Sequence, residues 1–121
     1  MTSERAGASR PEDVTRLFVE RANAGDAEGM AALYEPDAVM AFPPGQMTVG
    51  REAIHALFEH LVKEIPHRPP EDPLSTVSNG DLAMTSTLAA DGSGPRVQVV
   101  RRQADGTWLW VLDRPEFSQS S

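Results

Sequence analysis

Residues 33–61, LYEPDAVMAFPPGQMTVGREAIHALFEHL, form the stretch that decides the predicted fold of this chain. The stretch runs from the end of a helix through a short strand at residues 38–42 and a Pro-Gly turn into the strongest helix pattern of the sequence. One face of that helix carries apolar side chains at helical spacing, namely Ile54, Leu57, Phe58, Leu61, Val62 and Ile65. Because most of the large side chains lie in this stretch, we expect it to form the wall of a cavity.

Two further helices are predicted on the N-terminal side. The sequence SRPE at residues 9–12 has the capping-box pattern, and apolar side chains follow it at helical spacing up to Ala22. The sequence NAG at residues 23–25 ends this helix, and Asp26 can cap a second one over residues 27–34. We expect a disordered N-terminus, a single domain and a tail, at residues 1–10, 11–117 and 118–121.

A proline-rich connector at residues 66–73 separates the helices from a segment in which apolar and polar residues alternate. Short turns rich in Asn, Asp and Gly divide this segment, and such turns are typical of hairpins. The predicted strands cover residues 74–78, 81–90, 95–103 and 107–114. Helices followed by an antiparallel meander indicate an α+β fold with the helices on one side of the sheet.

The pairing of the last two strands decides which side chains face the helices. If Asp105 and Gly106 form a two-residue loop, Gln98 lies opposite Asp113. The face toward the helices then carries Gln98, Val100, Arg102, Leu109, Val111 and Asp113. The opposite face carries Val97, Val99, Arg101, Trp108, Trp110 and Leu112.

Both faces of the predicted sheet are apolar enough to need a cover, whereas the chain offers only one layer of helices. We therefore predict a homodimer through the face of Trp108 and Trp110. The alternative is that the two tryptophans lie under the helices and the other face meets solvent.

The composition excludes several classes of protein. The 121 residues include no cysteine, so neither a disulfide nor a cysteine-ligated metal is expected. A formal net charge of −7 and a pI near 4.8 disfavour nucleic acid and anionic membranes as partners. His55, Glu59 and His60 lack the spacing of a zinc-protease site. No apolar run reaches the roughly 20 residues of a membrane span, and we expect a cytoplasmic protein with no metal and no cofactor.

Several short motifs follow one another along residues 11–117. They are Gly25-Asp26, LYEPDAV at 33–39, VGREAI at 49–54, DGTW at 105–108 and VLDRP at 111–115. In this order they resemble the SnoaL-like, nuclear transport factor 2-like superfamily, and within it the small bacterial homologues of ketosteroid isomerase. The resemblance implies a cystatin-like, cone-shaped half-barrel, in which three N-terminal helices cover a curved antiparallel sheet. It also implies a deep apolar pocket and dimers formed through the sheet.

The resemblance does not bring the ketosteroid isomerase mechanism with it. Carried over by position, the first-helix tyrosine of that enzyme falls on Phe18, its base on Phe42 and its oxyanion-binding aspartate on Gln98. A phenylalanine side chain can neither donate nor accept a proton. We therefore predict that the steroid-isomerase triad is absent.

Asp113 is the candidate for acid–base chemistry, because it is the one carboxyl that the predicted register turns inward. An apolar cavity raises the pKa of a carboxyl, as a general acid near neutral pH requires, and Gln98 can donate a hydrogen bond beside it. The alternative is an ionised, structural Asp113 tied to Arg102 or to a backbone amide, with Tyr34 as an ordinary core residue. The predicted pocket wall consists of Phe18, Tyr34, Met40, Phe42, Met47, Phe58, Leu61, Val100, Arg102 and Val111.

The sequence thus predicts a protein that binds a small apolar molecule, cyclic or aromatic, with weak isomerase, cyclase or hydrolase chemistry. The alternative is a non-catalytic dimeric scaffold whose pocket is filled by Phe18, Phe42 and Phe58. Neither the ligand nor the choice between an enzyme and a binding protein follows from the sequence.

Overall fold

The computed structural model of the chain describes residues 7–64, 72–88 and 95–115. Its elements are α1 (Asp13–Asn23), α2 (Ala27–Ala31), β1 (Tyr34–Met40), β2 (Thr48–Val49), α3 (Arg51–Leu61), β3 (Asp72–Pro73), β4 (Val77–Asn79), β5 (Leu82–Leu88), β6 (Pro95–Arg102) and β7 (Trp108–Arg114). The predicted α+β class is confirmed. Within the described ranges, no helix has the length and apolar content that crossing a membrane requires.

Local side-chain chemistry sets the ends of the first two helices. Gly25 has a φ of +73°, which glycine adopts without strain, and it turns the chain from α1 toward α2. Asp26 caps α2 as predicted, since its carboxylate accepts a hydrogen bond from the N–H of Gly29 at 2.9 Å. The predicted capping box of α1 does not form. Glu12 makes no side-chain cap bond and accepts a hydrogen bond from the hydroxyl of Thr76 at 2.7 Å instead.

The second helix is shorter than predicted, because β1 already begins at Tyr34. The N–H of Trp110 donates to the carbonyl of Leu33 at 2.8 Å. The guanidinium of Arg51 donates twice to the carbonyl of Tyr34, at 2.8 and 2.6 Å. These carbonyls are therefore bound to β7 and α3, and α2 ends at Ala31 rather than at the predicted residue 34.

The N-terminal boundary of the domain also differs from the prediction. Ala8, which the sequence places in a disordered N-terminus, is 1% exposed and forms an isolated bridge with Trp108. The N–H of Trp108 donates to the carbonyl of Ala8 at 3.0 Å. The prediction of disorder is therefore wrong at Ala8. Most of the proline-rich connector, the end of the predicted domain and the tail lie outside the described residues.

The described strands form one sheet in the order β2-β1-β7-β6-β5-β3, with β4 also paired to β5. Strands β5, β6 and β7 make the predicted antiparallel meander, whereas β1 joins β7 in parallel. The parallel pairing places Tyr34 beside Trp110 and Met40 beside Asp113. Residues far apart in the sequence thereby meet on the inner face of the sheet.

The loop between β6 and β7 has three residues rather than the predicted two. Gln103 and Thr107 close it, with the N–H of Gln103 donating to the carbonyl of Thr107 at 2.6 Å. Gly106 takes a φ of +87°, as the last residue of a three-residue hairpin loop commonly does. The pairing near the loop is therefore shifted by one residue, and Trp108 lies opposite Arg102.

A β-bulge restores the predicted register further along the same pair of strands. Val100 lies opposite Trp110, whereas its neighbour Val99 lies opposite Leu112. Val111 is the extra residue that this change of register requires. Because side chains alternate along a strand, the inward positions of β7 change from even to odd numbers at the bulge.

The bulge decides what the two faces of the sheet carry. Gln98 and Asp113 pair as predicted and are buried. Trp108 and Trp110 are buried too, with 7% and 2% of their surface exposed. The predicted dimer face through these tryptophans is therefore wrong, and the alternative that places them under the helices is right. The remaining residues predicted for that face, which lie on the outer side, are Val97, Val99, Arg101 and Leu112.

An aromatic cluster fills the centre of the core between the helices and the sheet. The ring of Trp110 lies 5.0 Å from that of Tyr34 and 5.1 Å from that of Phe18. The ring of Phe58 lies 5.7 Å from that of Phe18. Aromatic side chains of this size bury a large apolar area, so the cluster fixes the helices against the inner face of the sheet.

Candidate active site

A cavity of about 250 Å³ lies between α1, α3 and the inner face of the sheet. Its wall is mainly apolar, which suits a small apolar molecule. The predicted wall residues that line it are Phe18, Tyr34, Met40, Phe42, Phe58 and Leu61. The three phenylalanines leave this volume open, so the cavity is not filled by its own side chains.

Four residues predicted for the pocket wall lie elsewhere. Met47 is 63% exposed, and the exposed Arg102 binds the carboxylate of Asp81 at 2.6 Å. Val111 is the extra residue of the bulge and does not line the cavity. Val100 is fully buried in the core without reaching the cavity. The error at Val111 follows from the shift of one residue between β6 and β7. Arg102 is on the predicted face, but it lies at the exposed end of β6, over the ring of Trp108.

The sequence prediction omits several residues that line the cavity, namely Thr15, Val19, Thr87, Arg96, Trp110 and Pro115. A signal existed for two of them, because Thr87 and Arg96 alternate in step with the inward residues of β5 and β6. Trp110 was assigned to the wrong face by the two-residue loop. Nothing in the sequence pattern separates Thr15 from the other polar residues of α1.

Asp113 lies in the cavity wall with both carboxyl oxygens bonded. The hydroxyl of Tyr34 donates to Oδ2 of Asp113 at 2.6 Å, and the side-chain amide of Gln98 donates to Oδ1 at 3.2 Å. Asp113 is 5% exposed, and Tyr34 is fully buried. Arg102, the partner in the alternative structural interpretation, is bound to Asp81 instead. The two candidate catalytic residues are thus adjacent, and Tyr34 joins them.

Side chains from four strands, β1, β5, β6 and β7, hold this group in place. The hydroxyl of Thr85 on β5 donates to Oε1 of Gln98 at 3.3 Å, which leaves the amide nitrogen of Gln98 to face Asp113. Tyr34 stands at the start of β1, and its hydroxyl also lies 3.7 Å from the sulfur of Met40. The carboxyl therefore has a fixed orientation, as a proton-transfer group requires.

The surroundings of Asp113 and Tyr34 move their pKa values in ways that favour proton transfer. Burial raises the pKa of Asp113 to about 6, while hydrogen bonds from Tyr34 and Gln98 and the charge of Arg96 limit the rise. Burial and the neighbouring Asp113 raise the pKa of Tyr34 well above its usual value. Tyr34 therefore remains a neutral donor. Asp113 changes its charge near pH 6, so it can accept and release a proton close to neutrality.

The two histidines of the described ranges, His55 and His60, provide no comparable site. Nε2 of His55 lies 2.9 Å from a carboxylate oxygen of Glu59, and Glu59 and His60 are both exposed. Among the residues that the structure describes, no group of three His, Asp or Glu side chains could hold a metal ion.

Comparison with known proteins finds one described domain family and a region of one named protein that resemble this chain. The model of a family described as SnoaL-like domain matches residues 14–114. A region of 88 residues is 30% identical to epoxide hydrolase LasB of Streptomyces lasalocidi. That match covers 70% of this chain but spans only 31% of the length of LasB.

Solved structures of similar shape support the fold. A protein of unknown function from Mycobacterium tuberculosis has a TM-score of 0.73 at 22% identity, with 87% of this chain and 72% of that chain covered. An NTF2-like protein with a cystatin-like fold from Novosphingobium aromaticivorans has a TM-score of 0.68 at 20% identity, with 90% and 80% covered. The predicted cystatin-like fold is confirmed, while likeness at these identities carries no information on activity.

Proposed function

We propose that this chain, which belongs to the SnoaL-like domain family as its motifs predict, is an acid–base enzyme. Its substrate is a small, neutral, largely apolar molecule with a ring. The cavity of about 250 Å³ would enclose it, and Asp113 would transfer the proton.

The observation that carries this proposal is the buried carboxyl of Asp113 in the wall of an apolar cavity. A carboxyl that serves only to stabilise a fold is usually paired with a cation, and its pKa then falls. The pKa of Asp113 is instead raised to about 6, in the range where a side chain works both as acid and as base. Its two neutral donors, Tyr34 and Gln98, fix its orientation.

Hydrolytic opening of a small epoxide is the reaction that we propose first, because the relative LasB is named an epoxide hydrolase. The ionised Asp113 accepts a proton from a water molecule as the water oxygen bonds to one epoxide carbon. The bond between that carbon and the ring oxygen breaks. Asp113 then returns the proton to the ring oxygen, so that water and epoxide give a diol and the carboxylate is restored.

Diol formation from styrene oxide and cyclohexene oxide tests the proposal. Asp113→Asn keeps the shape of the side chain but cannot accept the proton, so we expect kcat/KM to fall by about 10²- to 10⁴-fold. Asp81→Asn removes a carboxylate that lies on the surface and binds Arg102, and should leave the activity unchanged. Equal activity of the wild-type and Asp113→Asn proteins would refute the role of Asp113.

A second proposal concerns association of the chain with itself. Met84, Val99 and Leu112 form a row across three strands on the outer face of the sheet. Met84 is 45% and Leu112 is 50% exposed. An exposed apolar row on a sheet is typical of a protein interface, and we propose that a second copy of the chain covers it. This row takes the place of the two tryptophans in the predicted interface.

A further inference from the structure

Two buried polar atoms of the described residues have no hydrogen-bond partner, Oγ1 of Thr15 and Nε1 of Trp110. Both residues line the cavity that holds Asp113. The polar atoms of the acid–base group are bonded to one another, as the contacts of Tyr34 and Gln98 with Asp113 illustrate. Among the described residues, the buried side-chain atoms without a hydrogen-bond partner therefore both belong to residues that line this cavity.

An unpartnered buried donor is unfavourable, and native proteins contain few of them. Trp110 is 2% exposed, so bulk solvent does not reach its ring. An indole N–H can only donate a hydrogen bond, whereas a threonine hydroxyl can donate or accept. A group that satisfies Trp110 must therefore be an acceptor, and an oxygen atom serves Thr15 as well.

The residues that carry the unpartnered atoms line the same cavity as the acid–base group. Thr15 and Phe18 are three residues apart on α1 and so share one face of the helix. The ring of Phe18 lies 5.1 Å from that of Trp110, and the ring of Tyr34 lies 5.0 Å from it on another side. Because Tyr34 also binds Asp113, one small molecule can reach both Trp110 and Asp113.

We propose that Nε1 of Trp110, with the hydroxyl of Thr15 as a second donor, binds a neutral acceptor oxygen of the ligand. The cavity then selects molecules that carry a carbonyl or ether oxygen in addition to the group on which Asp113 acts. This inference rests on the proposed function insofar as the cavity takes a small molecule, but it does not depend on the reaction.

The test compares acetophenone with α-methylstyrene, which has a CH₂ group in place of the carbonyl oxygen. The chain contains two tryptophans, so the indole region of an ¹H–¹⁵N spectrum has two signals, which Trp110→Phe and Trp108→Phe assign. We expect acetophenone to shift the Trp110 indole proton downfield and α-methylstyrene not to do so. The Trp108 signal serves as the internal control.

Affinity gives a second readout in which the different hydrophobicity of the two probes cancels. The ratio of their dissociation constants should change by about fivefold between the wild-type protein and Trp110→Phe, the usual effect of one hydrogen bond. The same comparison with Thr15→Val tests the second donor.

Two results would overturn the inference. In the first, both probes bind and act alike on the Trp110 signal, and the ratio of their dissociation constants is the same for the wild-type protein and Trp110→Phe. The subsite is then absent, while the proposed acid–base function stands. If neither probe binds to the wild-type protein, the subsite is refuted together with the proposal that the cavity takes such molecules. Diol formation is measured without these probes, so the two failures are distinguishable.

Discussion

Asp113 is held by a phenol and an amide, and neither group brings a positive charge to the carboxyl. Burial disfavours the ionised form, and the hydrogen bonds together with the positive charge of Arg96 offset only part of that effect. The sequence was sufficient to pair Gln98 with Asp113, because their register is the predicted one. It was not sufficient to find Tyr34 as a partner, because that contact depends on the parallel pairing of β1 with β7.

The raised pKa of Asp113 predicts how stability changes with pH. The pKa is about 6 in the folded protein and near 3.8 in an unfolded chain, so between these values the folded state binds more protons. The free energy of unfolding therefore falls as the pH rises through this window. Relative to Asp113→Asn, we expect the wild-type protein to lose about 3 kcal/mol between pH 3 and pH 7.

Urea unfolding of both proteins at a series of pH values measures the difference between their free energies of unfolding. The contributions of the titratable groups that both proteins contain cancel in this difference. A difference that stays constant would contradict the raised pKa. A difference that grows in favour of the wild-type protein with rising pH would indicate an ionised, structural carboxyl instead.

At the scale of the elements, the β6–β7 hairpin shows where sequence reasoning fails. The helices, the turns and the strand order of the meander follow from periodicity and turn composition. The length of the loop does not, because an Asp-Gly pair fits a two-residue loop and also the end of a three-residue loop. One residue of difference moved Trp108 and Trp110 to the opposite face, and only the bulge at Val111 returned Asp113 to its predicted position.

If the loop has three residues, replacing Gly106, its last residue, by a residue with a side chain should lower the stability of the protein. Gly106 has a φ of +87°, where a residue with a Cβ atom is strained although nothing lies within 4 Å of it. Gly106→Ala should therefore destabilise the protein by about 1–2 kcal/mol. Ala104→Ser, in the same loop but at an exposed position without a positive φ, should change stability by less than about 0.5 kcal/mol. Equal effects in thermal or urea unfolding would contradict the assigned loop.

The whole molecule has two distinct sides, a cavity under the helices and an apolar outer face. The separation means that association through the sheet and chemistry in the cavity can be tested independently. The scaffold alternative requires a filled pocket, yet Phe18, Phe42 and Phe58 leave about 250 Å³ open. What the sequence could predict of this arrangement was the layering. It also predicted Val99 and Leu112 on the outer face, but it wrongly placed Trp108 and Trp110 there, because the register near the hairpin loop is shifted by one residue.

If two copies of the chain associate through the outer face, one charged residue placed on that face should prevent the association. Leu112→Arg places a cation at one end of the row formed with Val99 and Met84, where a partner copy would bury it. We expect the wild-type protein to sediment as a dimer and the variant as a monomer. Ala56→Arg, at an exposed position of α3, is the matched control and should remain dimeric. A wild-type monomer, or a dimer that Leu112→Arg leaves intact, would contradict this interface.

The central claim is that Asp113 is a buried carboxyl poised to exchange a proton inside the cavity. An NMR titration of its side-chain carboxyl carbon, assigned with Asp113→Asn, measures this directly in the absence of any ligand. The predicted result is a pKa of about 6. A pKa at or below about 4, the ordinary value of an aspartate, would contradict the claim.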